Sequence, residues 1–254
     1  MKNTLLFLVE GKRAEPAFIR NIGSLFFDNK SNNIIVTPQQ GTIYSLYAEL
    51  AADEDVDVFA LIFEKFENQM NNGDEKIEKS NVSELHLFFD YDGHDSAATV
   101  EKIEAMLRKF DNETENGKLY ISYPMLEANR HISKNSDEIN ILYNIDEGAE
   151  YKKFVNENSH NWCQHPHKFR KSEWREIIEK HLFRANCLVN DRNHRPDATE
   201  IATLSQYNIF RKQLEKHINT NKQVAALGGI PFFLGEYFGF DELINIVSEG
   251  IVVE

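Results

Sequence analysis

The sequence predicts an α/β protein, a parallel sheet flanked by helices, followed by a mainly helical C-terminal region. Three observations predict it. Thr4 to Val9 is an unbroken apolar run of strand length, the pattern of a strand buried on both faces. Strand-like and helix-like stretches then alternate through the first half, an order that favours parallel strands joined by helices. Beyond about residue 133 the strand signal fades and helical spacing takes over.

The elements follow in order. Pro16 suits the opening turn of a helix, and Phe18, Ile19, Ile22, Leu25 and Phe26 recur after it at helical spacing. Asn33 to Thr37 is a short β-branched strand, Pro38 to Gly41 a loop, and Ile43, Leu46, Tyr47 and Leu50 a second helical stripe. Residues 53 to 83 interrupt the alternation as an insertion. A helix is expected there around Val58 to Phe66, and the polar stretch Asn68 to Ser83 is the expected mobile loop of the first half. Glu84 to Phe89 is the next strand, running straight into Asp90-Tyr-Asp-Gly-His-Asp95. Ser96 is expected to cap the helix marked by Val100, Ile103, Leu107 and Phe110. A polar turn covers Asp111 to Gly117, and Leu119 to Tyr123 is a further strand, stopped by Pro124. In the second half the stripes are Trp174, Ile177, Ile178, His181 and Leu182, then Ile201, Leu204, Tyr207, Ile209 and Phe210. Gly228-Gly-Ile-Pro reads as a turn before an apolar segment, and Phe240 to Val247 as a last helix. The expected division is therefore residues 1–132 and residues 133–254.

Composition narrows the function. An apolar share of 41% over 254 residues supplies a sizeable core. The net charge of −13 argues against non-specific coating of nucleic acid, which draws on many Lys and Arg contacts to phosphate. Residues 168 to 195 nevertheless hold eight Lys and Arg against four acids, so they form either a local basic surface or a solvated helix face laced with Glu173, Glu176 and Glu179. No window approaches the ~18 uncharged apolar residues of a membrane span. The run Thr4 to Val9 is short for a secretory leader and meets Glu10 at once. A cytoplasmic location without membrane association is expected. Cys163 and Cys187 are too few for a disulfide framework. His160, Cys163, His165 and His167 lack the paired spacing of structural zinc ligands. Phe232, Phe233, Tyr237 and Phe238 read as core or interface more readily than as a base-stacking platform.

Chemistry concentrates at the strand ends. In an open parallel sheet, ligands bind beyond the carboxyl ends of the strands, and Glu10, Asp90 and Asp92 lie at or just past such ends. Oxygen donors suit hard cations, and Mg²⁺ is commonly held by one or two carboxylates that leave room for water and phosphate oxygens. Strand alternation continued through Asp90-Tyr91-Asp92 would put both aspartates on one face, where two like charges repel unless a cation joins them. Glu15, about one helical turn past Glu10, is either a second-metal ligand or an acid favourably placed at a helix N-terminus. Glu127 follows the fourth strand and so returns to the same edge. Lys12 and Arg13 beside Glu10, and Lys171 and Arg175 in the basic stretch, are candidate phosphate contacts.

These residues carry a resemblance. Leu6-Phe-Leu-Val-Glu-Gly-Lys-Arg-Ala-Glu15 resembles the first motif of the Toprim domain shared by topoisomerases, primases, ribonuclease M5-type maturases and overcoming-lysogenization-defect nucleases. Phe88-Phe-Asp-Tyr-Asp-Gly93 resembles that domain's Asp-x-Asp motif. The resemblance covers roughly residues 4 to 130. It implies a Toprim-like domain in which Glu10 serves as general acid or base or as a metal ligand, while Asp90 and Asp92 hold Mg²⁺ or Mn²⁺ against a phosphodiester of DNA or RNA, tRNA included. It also implies a nuclease effector of bacterial anti-phage defence working beside an ATPase. The chain has no Walker-type phosphate loop, so any ATP-driven step would belong to that partner. A homodimer is a further expectation. Two other classes stay open. Leu87 to Gly93 also resembles the nucleophile motif of haloacid-dehalogenase phosphatases, in which Asp90 would be phosphorylated; Glu10-Gly11 is then unexplained, and His94 stands where that family has Thr or Val. The other is a non-catalytic adaptor, favoured by the net acidity.

Overall fold

A computed structural model describes residues 3–39, 41–52, 57–70, 79–135 and 140–248. They form two compact units, Met1–Phe89 with Ala97–Leu119 and Asp90–Ser96 with Tyr120–Glu254. The expected division at residue 132 follows strand order; the compact units instead part at residues 119 and 120, and the acidic loop 90–96 groups with the second.

The first unit is an α/β layer. Strand β1 (Asn3–Val9) is buried from Thr4 through Val9, because it has a parallel neighbour on each side and is covered on both faces. Helix α1 (Ala14–Phe26) follows and buries Phe18, Ile19 and Ile22, with Pro16 in its first turn, where no intrahelical amide bond is lost. Strand β2 (Asn32–Pro38) pairs in parallel with β1 from Asn3 opposite Asn32 to Val9 opposite Pro38. As the edge strand it tolerates Pro38 and buries only Ile35 and Thr37. Helices α2 (Ile43–Ala51) and α3 (Val58–Met70) come next, the second extending beyond the expected Phe66. Much of the expected mobile loop lies outside the described residues. Strand β3 (Val82–Asp90) pairs in parallel with the other side of β1, up to Val9 opposite Phe88.

Helix α4 (Val100–Lys109) begins later than Ser96 predicts. Thr99 is its cap, with extended backbone and a hydroxyl accepting the Lys102 amide at 3.4 Å. The polar turn after it closes a hairpin, with β4 (Asp111–Asn112) antiparallel to β5 (Gly117–Ser122). The sheet order is β2-β1-β3-β5-β4.

The second unit is mainly helical. Its small antiparallel sheet was not legible in the sequence: β6 (Leu142–Asn144) pairs with a strand more than 70 residues on, Leu142 opposite Ala225. Helix α5 (Gly148–Asn158) and the long α6 (Lys171–Asn190) follow. Trp174, Ile177, Ile178, His181 and Leu182 of α6 are all buried, as their spacing predicts. The expected single stripe from Ile201 to Phe210 is broken into α7 (Ala198–Ile201) and α8 (Gln206–Gln213). The break comes at Ser205, whose hydroxyl accepts the Asn208 amide at 3.2 Å and caps α8. The chain then widens into a π-helical turn, Leu214–Ile218, before α9 (Asn219–Asn221) and β7 (Gln223–Ala225).

Gly228-Gly-Ile-Pro is a helix start rather than a turn: α10 (Gly229–Phe238) precedes α11 (Phe240–Ser248). Phe232 and Phe233 of α10 are buried core. Among the described residues no helix is long and apolar enough to cross a membrane.

Candidate active site

Sheet register fixes the first pair of carboxylates. Val9 and Phe88 are partners on adjacent parallel strands; Glu10 is the next residue of the first strand, and Asp90 ends the second. Both side chains are half-buried. Each acid thus stands at or just past the carboxyl end of its strand, the end at which open parallel sheets bind ligands.

The turn after Glu10 is tied down by Glu15. Its carboxylate accepts the Gly11 amide at 3.0 Å and is only 8% exposed. Glu15 therefore anchors the β1–α1 turn at the helix N-terminus, where a negative charge is favoured. Lys12 and Arg13 are exposed on that same turn.

Beyond Asp90 the strand geometry stops. Asp92 has a left-handed backbone, φ 43°, and its carbonyl accepts the Asp95 amide at 2.8 Å. The shared-face expectation for the two aspartates assumed a strand continuing through Asp92; the strand ends at Asp90, so alternation does not relate them. Tyr91, between them, does: its amide donates to the Ser122 carbonyl at 3.0 Å, and its ring packs 5.4 Å from that of Tyr123 and 6.3 Å from that of Phe210. Burial pushes the Tyr91 phenol up to about 12. Burial also raises the Asp92 carboxyl above its ordinary range; His94 opposes that shift and Asp95 adds to it.

The acidic loop is held closely within its unit. A Cβ at Gly93 would come within 2.9 Å of Ile145 Cγ2, and one at Gly148 within 3.0 Å of His94 Nδ1. A side chain at Gly93 would collide with its surroundings, and one at Gly148 would press on the His94 ring. Gly148 opens α5, and one turn further along, Lys152 Nζ lies 3.6 Å from the Glu127 carboxylate.

Glu127 is buried in the 3₁₀ turn Leu126–Arg130 and also faces Arg130 at 3.8 Å, while Arg130 donates to Asn156 Oδ1 at 2.8 Å. Helix α5 therefore touches both the acidic loop and Glu127. Lys152 and Arg130 belong to no motif, and no residue pattern in the sequence marks them.

The basic stretch is largely committed within the second unit. Arg170 pairs with Glu173, Arg175 Nε with Glu179 at 3.1 Å and Arg192 with Glu200 at 3.9 Å, while Arg184 is buried. Lys171 is half-buried at the first position of α6. Cys163 is fully buried, and its thiol is pushed up to about 12 by that burial, whereas His165 and His167 are exposed.

Among the described residues no three His, Cys, Asp or Glu side chains converge as a metal cage. The donors at the sheet edge are all carboxylate oxygens. That set fits a hard cation of the Mg²⁺ kind, which needs only one or two protein carboxylates beside water and phosphate oxygens. The chain matches no protein-family model, and searches of curated proteins and of solved structures likewise find no match.

Proposed function

We propose that this protein is a metal-dependent endonuclease of the Toprim kind, cleaving phosphodiesters of DNA or RNA. The observation that carries the reading is the register of β1 and β3, in which Glu10 and Asp90 lie one and two residues past the partners Val9 and Phe88. The motif resemblance around those residues supports it. Asp90 and Asp92 would hold Mg²⁺ or Mn²⁺, with Glu15 and Glu127 as further candidate ligands. The ion bound there would offset phosphate charge and acidify a water.

The chain's own residues supply the rest. Glu10 takes the proton of the attacking water as general base. Lys12 and Arg13, exposed on the turn that follows it, contact substrate phosphates. The Tyr91 ring, packed in the second unit's core, keeps Asp90 and Asp92 in fixed positions on either side of it. A cytoplasmic effector of anti-phage defence, paired with an ATPase, is the setting this reading implies.

The test is cleavage of mixed DNA and RNA substrates with Mg²⁺ or Mn²⁺, run on wild type, Glu10→Ala and Asp90→Ala, with a parallel set containing any genomically adjacent ATPase. Loss of activity in both variants, by about 10²–10⁴-fold for a missing general base, is expected. Activity surviving in both would remove the assignment.

A further inference from the structure

The segment that joins α5 to α6 in the second unit differs in charge from the rest of the chain. Asn158 through Ser172 contain no Asp or Glu, although the protein has 41 of them in 254 residues. Its His165, His167 and Lys168 are exposed. Lys134, also exposed, is tied alongside: its amide donates to the Asn158 carbonyl at 3.0 Å and its Nζ to the Glu157 carbonyl at 2.8 Å. Both acceptors are neutral, so these bonds position the ammonium without cancelling its charge. The acids that flank the segment in sequence are Glu157 and Glu173, and the second is paired with Arg170.

The segment is also rigidly held. Asn161–Gln164 and Pro166–Lys168 are 3₁₀ turns; the His160 amide donates to the Ile132 carbonyl at 3.1 Å, and Gln164 Nε2 to the Asn156 carbonyl at 3.3 Å. Trp162 is half-buried, and a ladder of edge-to-face rings fixes it to the core. Phe169 meets it at 5.4 Å and 78°, and Trp174, fully buried, meets Phe169 at 5.8 Å and 76°. The His160 ring lies within 7° of parallel to the indole, with centroids 6.4 Å apart. A large ring held at the surface in one orientation, parallel to a second ring, is a platform on which another flat ring can stack.

We infer that this segment is a binding site for single-stranded nucleic acid. An unpaired base stacks on Trp162 beside His160, and the flanking phosphates meet Lys168 and Lys134, with the His165 and His167 rings as further donors. The strand has to be single, because in a duplex the base faces are already stacked on one another. A carbohydrate would use the ring and not the cations, and an acidic peptide the cations and not the ring; a nucleic-acid strand uses both. The net charge of −13 opposes contact with a long strand, so few nucleotides are held. The inference goes beyond the nuclease reading and does not depend on it, since none of the strand-end carboxylates takes part.

Fluorescence anisotropy of labelled strands with the full chain, in EDTA so that nothing is cleaved, tests it. Oligothymidylate is compared with an abasic strand of the same length and with a duplex. Oligothymidylate is expected to bind about tenfold more tightly than either, the effect of one stacked base. Trp162→Ala should weaken it by about the same factor, and Trp162→Phe, which keeps a stacking face, should restore most of the loss. Lys168→Gln changes an exposed side chain and should lower the salt dependence by about one phosphate contact. Selective binding in EDTA without cleavage on adding Mg²⁺ would support this site while counting against the nuclease. An abasic strand bound as tightly as oligothymidylate, full affinity in both Trp162→Ala and Lys168→Gln, or no binding of any strand would overturn the assignment.

Discussion

Asp92 combines two unfavourable features, a left-handed backbone at φ 43° and a carboxyl whose ionisation is opposed by burial. Each costs stability, and strained or desolvated residues are retained where function uses them. Asp92→Asn keeps a side chain that tolerates the left-handed region and removes the charge. The metal-free variant should be more stable than wild type by about 0.5–1 kcal/mol at neutral pH, while cleavage is lost. The sign follows from the raised carboxyl: above its folded pKa the native state must carry a disfavoured anion, so the contribution of this one group falls as pH rises through the carboxylate range, and it is the difference between the two proteins that isolates it. Thermal unfolding of both proteins at pH 4 and pH 7 would show it; equal pH responses would contradict the assigned cost. Glu127 is the other informative residue, because Lys152 and Arg130 give it cationic neighbours that no motif announced. Lys152→Ala is expected to reduce cleavage while leaving the melting temperature nearly unchanged, since its side chain is two-thirds exposed and exposed ion pairs contribute little stability.

At the scale of elements, the start of α10 is the clearest case of a helix made by distant side chains. Asn129 Oδ1 accepts the Ile230 amide at 3.0 Å, Ser122 Oγ accepts the Gly229 amide at 3.2 Å, and His181 Nδ1 accepts the Gly228 amide at 3.1 Å. These bonds satisfy amides that a helix N-terminus leaves without intrahelical partners. Asn129 is fully buried and also donates to Ser122 Oγ and to the Leu126 carbonyl. Asn129→Ala would strand several buried groups at once, at a cost of about 2–4 kcal/mol. Urea unfolding should show the midpoint falling with an unchanged slope; a loss under about 0.5 kcal/mol would mean the network contributes little. The sequence read this segment as a turn because two glycines and a proline precede a run with no polar side. Its capping groups lie roughly 50 to 100 residues away, beyond the reach of local pattern.

For the molecule as a whole, two buried histidines set the response to acid. His131 is depressed to about 3 by burial and then by Arg184 and Arg130, and His181 lies well below its ordinary value for the same leading reason. Both stay neutral when folded and gain protons near pH 6.5 when unfolded. Stability should therefore hold above pH 6.5 and fall as pH drops below it, by about 2 kcal/mol for each histidine at pH 5. Chemical denaturation at pH 7 and pH 5 would measure this, and His131→Phe should remove about half of the difference. A flat profile between those pH values would count against two buried neutral imidazoles.

The sequence by itself determined the α/β class, the order of the first strands and helices, and the position of Glu10 and Asp90 at strand ends, because a doubly covered strand must be apolar throughout and the acids mark where cover stops. It also determined the buried stripe of α6, a pattern written in neighbouring residues. Tertiary structure alone decided the left-handed turn at Asp92, the pairing of β6 with β7 and the cations beside Glu127. Each of these depends on residues far apart in the chain, or on a backbone conformation that packing imposes against local preference, and neither leaves a periodic trace in the sequence.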